Sequence, residues 1–220
     1  MANVQPTLTL GAIFYEGFEL LDVYGPLEMF GNVGPELRVI TVAQQAGEVA
    51  SAQGPKTAAQ YGFKDCPPLD LILLPGGIGT LAELQNEAML AFLRQRSAMA
   101  QVTMSVCSGS AILAKAGLLD GRRATCNKQF FRLLTSESQK VTWIEQARWV
   151  EDGNLVTSSG VSAGMDMALA VIARLYGQER AETIAALTEY EWHRDPAWDP
   201  FVKYLNHGDL SQIPPPAAAH

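Results

Sequence analysis

The first position in this chain able to do chemistry is a cysteine set where an apolar run gives way to small residues. Val102-Thr103-Met104-Ser105-Val106 leads into Cys107-Ser108-Gly109-Ser110 and then into the helical pattern Ala111–Ala116. At a strand-to-helix turn the first unbonded N–H groups of the helix, together with its dipole, favour a thiolate over a thiol, and that makes a nucleophile. The small residues that follow permit a sharp turn and the close approach of a ligand, whereas plain core packing, the alternative role for a free cysteine, needs neither. The arrangement is like the nucleophile elbow of hydrolases without its first glycine, since position 105 is Ser.

A nucleophile needs a proton partner, and Asp22 and Glu19 stand about one helical turn apart in the stretch Phe18–Phe30. Glu19 reads first as a solvated surface carboxylate. Asp22 sits between Leu21 and Val23, just ahead of Gly25-Pro26, where burial is expected to raise its proton affinity. The run Gly76-Gly77-Ile78-Gly79 lacks the Lys-Ser/Thr of a phosphate loop and the spacing of a dinucleotide fingerprint. It reads either as a tight strand-to-helix turn or as a cradle whose Gly77 and Ile78 N–H groups, with that of Ser108, face a developing anion. Of the three histidines, His193, His207 and His220, only His193 is weighed for the site, as a base, a pocket wall or a structural residue. Cys66, before Pro67-Pro68, reads as incidental, and Cys126 as a packing residue in a short strand that could touch the site wall.

The elements needed to position these groups alternate. Short apolar runs at Leu8–Phe14, Leu37–Val42, Leu69–Leu74 and Val102–Val106 read as buried strands, separated by helical patterns at Phe18–Phe30, Thr80–Leu84 and Asn86–Met99. The Gly25-Pro26 pair predicts a kinked or restarted first helix. Val49–Ala59 reads as an edge hairpin and Ala124–Asn127 as a brief strand. Asp152-Gly153-Asn154 marks a hairpin turn, and Ser162–Tyr176 and Glu179–Tyr190 read as helices. The stretch from Glu191 onward is too rich in proline for a helix, and the tail Pro214–His220 is expected to fray. Strands alternating with helices predict an α/β sandwich on a mostly parallel sheet, in one domain over 1–220 with an irregular extension over 191–220. In such a sheet ligands bind at the carboxyl ends of the strands, where Gly76–Gly79 and Cys107 both fall.

Composition narrows the partners. With 16 basic and 23 acidic side chains the formal net charge is -7, and no Lys/Arg cluster is able to neutralise phosphates, so nucleic acid is not an expected partner. An odd set of three cysteines without CxxC spacing argues against a disulfide framework and against a cysteine zinc site. The chain shows no leader-like start and no long apolar run, which predicts a cytoplasmic protein without a membrane segment.

Five segments in order resemble the ThiJ/PfpI superfamily: Leu21-Asp22-Val23-Tyr24-Gly25-Pro26, Leu73-Leu74-Pro75-Gly76-Gly77, Ser105–Ser110, Gly117–Thr125 and Ser159–Gly164. The resemblance covers most of Leu8–Leu187 and is closest in pattern to isocyanide hydratases, which have an Asp-x-x-Gly-Pro segment and a Cys-Thr-Gly-Ser turn. It implies a flavodoxin-like three-layer sandwich, a homodimer, no cofactor and no metal. By position it implies Cys107 as nucleophile, Asp22 as general acid/base, Ser108 as a hydroxyl and backbone donor, and Gly77 and Ile78 as loop donors. Glu19, Gly76, Asn127, Trp192 and His193 complete the candidate pocket. The chain departs from many superfamily members by having Asn127-Lys128 where a histidine follows the Ala-Thr strand, which leaves a Cys–His peptidase without its local base.

The resulting expectation is a cysteine-dependent enzyme that hydrates or hydrolyses a small electrophile, as an isocyanide to an N-formamide. The alternative from another class is a sensor or stress protein whose cysteine is oxidised rather than turned over. A protease, amidase, glyoxalase or deglycase ranks below both. A regulator role, known for relatives that carry an added helix-turn-helix domain, is disfavoured by the roughly thirty residues after Leu187. Trp192, Trp198 and Phe201 read as a contact surface or as packing on their own domain.

Overall fold

The computed structural model describes residues 7–209 and 211, so the expected frayed tail Pro214–His220 lies outside the described residues. The strand β1 (Leu8–Ile13) is followed by helix α1 (Leu20–Gly31) and β2 (Leu37–Ala43). Next come the antiparallel pair β3 (Gly47–Ala50) and β4 (Lys56–Ala59), then β5 (Tyr61–Gly62) and β6 (Leu71–Leu74). Helices α2 (Thr80–Glu83) and α3 (Glu87–Ser97) lead to β7 (Val102–Ser105) and α4 (Gly109–Lys115). After these come β8 (Arg123–Ala124), α5 (Phe131–Thr135), β9 (Thr142–Trp143), the hairpin β10 (Trp149–Asp152) and β11 (Leu155–Ser158), and finally α6 (Ala163–Tyr176) and α7 (Gln178–Leu187).

Seven strands form the main sheet in the order β10-β11-β7-β6-β1-β2-β5, parallel except for the β10–β11 pair. All four residues of β6, β7 and β11 are buried, as expected of strands covered on both faces. The crossover from β1 to β2 runs to one side of the sheet and those from β6 to β7 and from β7 to β11 to the other. Right-handed connections therefore put α1 on one face and α3 and α4 on the opposite face. Helix α6 packs against α1 and α7 against α6, which completes the three-layer α/β sandwich, and the buried apolar side chains form one continuous cluster. The order reverses between β1 and β6, so the loops after β1, β6 and β7 meet at one end, the usual ligand crevice of such sheets. Among the described residues no helix is long and apolar enough to cross a membrane.

The structure departs from the sequence reading in four places. Helix α1 runs through Gly25-Pro26 without restarting. Those residues serve packing: a Cβ on Gly25 would lie 2.8 Å from Met165 Cγ, and one on Gly164 would lie 3.1 Å from Pro26 Cγ. The small pair thus lets α1 and α6 approach closely, and that contact offsets the missing N–H of Pro26. Strand β8 ends at Ala124, leaving Cys126 and Asn127 in a loop. Tyr61–Gly62 adds a seventh strand at the sheet edge. The proline-rich stretch holds a 3-10 helix over Pro200–Tyr204, started by the Asp199 carboxylate accepting from the Phe201 N–H at 2.9 Å, with Pro200 in the first turn where its missing donor costs nothing.

Candidate active site

Cys107 sits immediately beyond β7 with φ +57°, a left-handed conformation that a non-glycine residue adopts at a cost and that throws its side chain out of the strand path. Two backbone bonds hold it there: Val106 N–H to Leu74 O at 3.0 Å and Cys107 N–H to Ser159 O at 3.1 Å. The glycine loop closes against it. A Cβ on Gly76 would lie 2.4 Å from Ser108 Oγ and 3.0 Å from Asp22 Oδ2, and one on Gly109 would lie 2.6 Å from Pro75 O. These glycines allow three strand ends to converge on one sulfur.

Asp22, in the first turn of α1, is fully buried. Its Oδ2 accepts the Gly76 N–H at 2.7 Å, while Oδ1 has no partner among the described residues. Burial pushes this carboxyl well above the ordinary carboxylate range, and the Glu19 charge adds to the rise. The Gly76 N–H and the Cys107 thiol pull the other way. Cys107 is itself pushed well above an ordinary thiol, first by burial and then by the negative charges of Asp22 and Cys126. The Asn127 amide and the Ser108 N–H oppose this. Desolvation of the buried sulfur therefore opposes the stabilisation that the first N–H groups of the seven-residue α4 give a thiolate. Burial thus raises the proton affinity of both the sulfur and the carboxyl beside it.

Asn127 lies against the sulfur. Its Nδ2 donates to Cys107 Sγ at 3.1 Å, and its Oδ1 accepts the Phe130 N–H at 3.1 Å, which fixes which end of the amide faces the sulfur. A Cβ on Gly160 would come 2.8 Å from Nδ2, so this glycine leaves room for the amide.

The two loop donors differ. Gly77 N–H donates to Ser108 Oγ at 3.0 Å and is therefore committed inside the protein, contrary to the expectation that it faces a ligand. The Ile78 N–H has no partner among the described residues. Ser108 Oγ also pairs with Thr80 Oγ1 at 2.8 Å, and Thr80 Oγ1 with the Tyr15 hydroxyl at 3.1 Å, which donates to Pro75 O at 2.8 Å. This buried hydroxyl chain binds the glycine loop to the elbow. Thr80 and Tyr15 escaped the sequence reading because a threonine opening a helix and a tyrosine ending a strand carry no signal of meeting each other.

A cavity of about 350 Å³ opens above the sulfur. Cys107, Ser108, Asn127, Gly77 and Ile78 line its inner part, and Leu81, Phe130, Leu133, Leu134 and Val161 line apolar walls. Glu19 is also a lining residue, and its carboxylate accepts from Gln53 Nε2 at 2.7 Å. Trp192 and His193 do not line this cavity. The His193 backbone N–H donates to Asp166 Oδ1 at 2.9 Å and its ring nitrogen Nε2 lies 3.2 Å from Trp198 O, while Trp192 packs on the core under the Arg194 guanidinium. Both are drawn to the α6 side of the molecule by contacts of the C-terminal segment. Trp198 and Phe201 are each 48% exposed. Among the described residues no three His, Cys, Asp or Glu side chains come together in a way that could hold a metal ion.

The DJ-1/PfpI family matches residues 11–174. The chain belongs to the DJ-1/PfpI family. Within this family it is 34% identical over 183 residues to the isonitrile hydratase of Pseudomonas putida, covering 83% of this chain and 78% of that protein. It is 28% identical over 188 residues to the HTH-type transcriptional regulator GbdR of Pseudomonas aeruginosa, covering 83% of this chain but only 51% of that protein. The crystal structure of a ThiJ/PfpI family protein from Pseudomonas syringae superposes with a TM-score of 0.79 at 33% identity, covering 96% of this chain and 82% of that one. The flavodoxin-like sandwich expected from the sequence is therefore the fold of this DJ-1/PfpI protein.

Proposed function

We propose that this DJ-1/PfpI protein is a cysteine-dependent hydratase of small uncharged electrophiles, with isocyanides as its substrate class. The observation that carries this reading is the pairing of Cys107 with a fully buried carboxyl, Asp22, that has no cationic partner and so retains a high proton affinity. The Asp22 carboxyl gives its proton to the terminal carbon of R–NC as Cys107 Sγ bonds to that carbon, and takes the thiol proton in exchange, giving the thioimidate Cys–S–CH=N–R. Water then adds to the same carbon and its proton passes through Asp22 to the nitrogen. Collapse breaks the C–S bond, restores the thiol and releases R–NH–CHO. The Ile78 N–H, without a partner among the described residues, and the Ser108 N–H beside the sulfur are the donors for the charge that develops as the water adds. An apolar wall with no Lys, Arg or His among the lining residues favours an uncharged R group over a phosphate, a carboxylate or a sugar. The identity with the isonitrile hydratase supports the same class.

A second reading has a specific support. A carboxyl that holds its proton and an amide 3.1 Å from the sulfur are both donors suited to a cysteine sulfinate, as in an oxidation sensor. One experiment separates the two. Formamide production from aliphatic and aromatic isocyanides, with glyoxal as the contrasting substrate, is measured for the wild type, Cys107→Ala and Asp22→Asn. Turnover lost in both variants supports the hydratase. No turnover on any isocyanide, with stoichiometric oxidation of Cys107 by mild peroxide in intact-mass spectra, supports the sensor. A cytoplasmic homodimer belongs to the same proposal, and light scattering at micromolar concentration tests the dimer.

A further inference from the structure

The segment 196–208 lies beyond the residues matched by the family, yet it wraps the loop that carries Asn127. Asn206, at φ +62°, donates its N–H to Lys128 O at 2.9 Å, and its side-chain Oδ1 accepts the Arg132 N–H at 2.6 Å. That second bond satisfies a first-turn donor of α5 that has no intrahelical acceptor. Gly208 N–H donates to Gln129 O at 2.9 Å, and a Cβ there would lie 2.5 Å from the Phe130 ring, so the segment packs flush on the residue that forms one cavity wall. Deeper, the buried Asp199 carboxylate lies 4.0 Å from Lys128 Nζ and 3.7 Å from Arg148 Nη1. Lys128 Nζ also donates to Thr125 Oγ1 at 2.8 Å and Ala147 O at 2.7 Å, and Arg148 Nε pairs with Asp166 Oδ2 at 2.7 Å. The loop 127–130 is thereby gripped from outside by backbone and amide bonds and from beneath by buried charges. It touches the sulfur through one group, the Asn127 amide.

We propose that segment 196–208 is a positioning element for the Cys107 nucleophile. Through Asn206 and Gly208 it fixes the 127–130 loop, so that the Asn127 amide donates to the sulfur and Phe130 stays on the cavity wall. Asn206 and Gly208 are positioning residues, and Asn127 is the group through which they act. The inference rests on Cys107 being the reactive residue but not on the substrate, so its test uses a reagent that needs no turnover.

The test is the rate of Cys107 alkylation by iodoacetamide as a function of pH, read on the Cys107 peptide by mass spectrometry in the full-length protein. Loss of an N–H donor to the thiolate raises the thiol pKa, so the profile moves to higher pH. Asn127→Ala is expected to slow alkylation at neutral pH about tenfold, the scale of one hydrogen bond to a charged group. Asn206→Gly keeps the left-handed backbone and its N–H bond to Lys128 O, and removes the side chain that carries Oδ1. It is expected to move the profile in the same direction by about threefold, as about half of that bond's worth. Asn206→Asp, which keeps Oδ1, is expected to retain the wild-type profile. Cys107 also faces Asp22, Cys126 and Tyr15, and the Asn127→Ala background separates the amide from them. In that background Asn206→Gly should have no further effect on the profile. Gly208→Ala, which presses a methyl onto Phe130 from the same segment, is the second variant and should shift the profile as Asn206→Gly does. A wild-type profile in both variants overturns the proposal, and so does an equal slowing with and without Asn127. Loss of isocyanide turnover as a function would leave these outcomes unchanged.

Discussion

Two fully buried aspartates stand in the first turns of two helices that pack against each other, and their surroundings could hardly differ more. Asp166, on α6, has each oxygen engaged: Oδ2 takes the Arg148 guanidinium at 2.7 Å, and Oδ1 takes the Tyr190 hydroxyl at 3.0 Å and the His193 N–H at 2.9 Å. Asp22, on α1, has one backbone donor, an oxygen without a partner among the described residues and a thiol beside it. A buried carboxylate with a paired cation is tolerated as structure, whereas one without a cation is costly unless it keeps its proton. The contrast separates a fully paired strut from a carboxyl with no cation beside it among the described residues, the group to which the proposed function gives the proton transfers.

Asp22→Asn should break the comparison most sharply. The amide oxygen still accepts the Gly76 N–H, so folding survives, but the proton carrier is gone and formamide production should fall by about 10²–10⁴-fold in kcat. The folded-state pKa of Asp22 is raised above its unfolded value, so its contribution to stability is fully present below the unfolded value and is lost as pH rises through the folded one. Wild type should therefore lose stability relative to Asp22→Asn as pH is raised through that range. Urea midpoints across pH 4–8 (on the order of the carboxylate-to-neutral span) measure it; parallel curves for the two proteins would remove the claim.

Asp166→Ala should do the reverse. It strands the buried Arg148 guanidinium and should cost about 3–5 kcal/mol in urea unfolding. Turnover of the protein that remains folded should change far less than in Asp22→Asn. Equal losses of rate in the two variants would erase the distinction between strut and proton carrier. Gly76→Ala sharpens it from the side of geometry, because the added methyl collides with Ser108 and presses on Asp22. Misplacing a reacting group by a fraction of an ångström to an ångström should lower kcat by about 10²-fold with KM little changed. The smallest effect is expected for His193→Ala. The ring lies outside the cavity, so turnover should stay within about twofold of wild type, the range of substitutions away from a site or core. A larger loss would return His193 to the proton path.

Much of this architecture is legible in the sequence. The β1, β6 and β7 runs were readable because a strand covered on both faces must be apolar throughout, and the elbow because a cysteine between an apolar run and three small residues has few other uses. Asp22 was legible from its apolar flanks. Gly76 was singled out as a pocket residue without its reason, which is a distance: its missing Cβ is the space that Ser108 and Asp22 share. Gly77 misled, since its N–H turned inward to a serine hydroxyl that sequence spacing places nowhere in particular. Trp192 and His193 misled for a similar reason: polar anchors on Asp166, 27 positions away in the case of His193, decide where that stretch lies.

The sequence by itself determined the layered α/β architecture, the strand-end location of the sulfur and the burial of Asp22, because these follow from periodicity, small-residue turns and apolar flanks that act over a few neighbouring positions. Only the tertiary structure decided that the sulfur is buried beside Asp22 and that Asn127 faces it. It alone also showed that a distant C-terminal segment grips that asparagine's loop and that one loop donor is committed while its neighbour is free. Desolvation, orphaned oxygens and close approach are properties of the space between elements, and no local pattern of residues encodes that space.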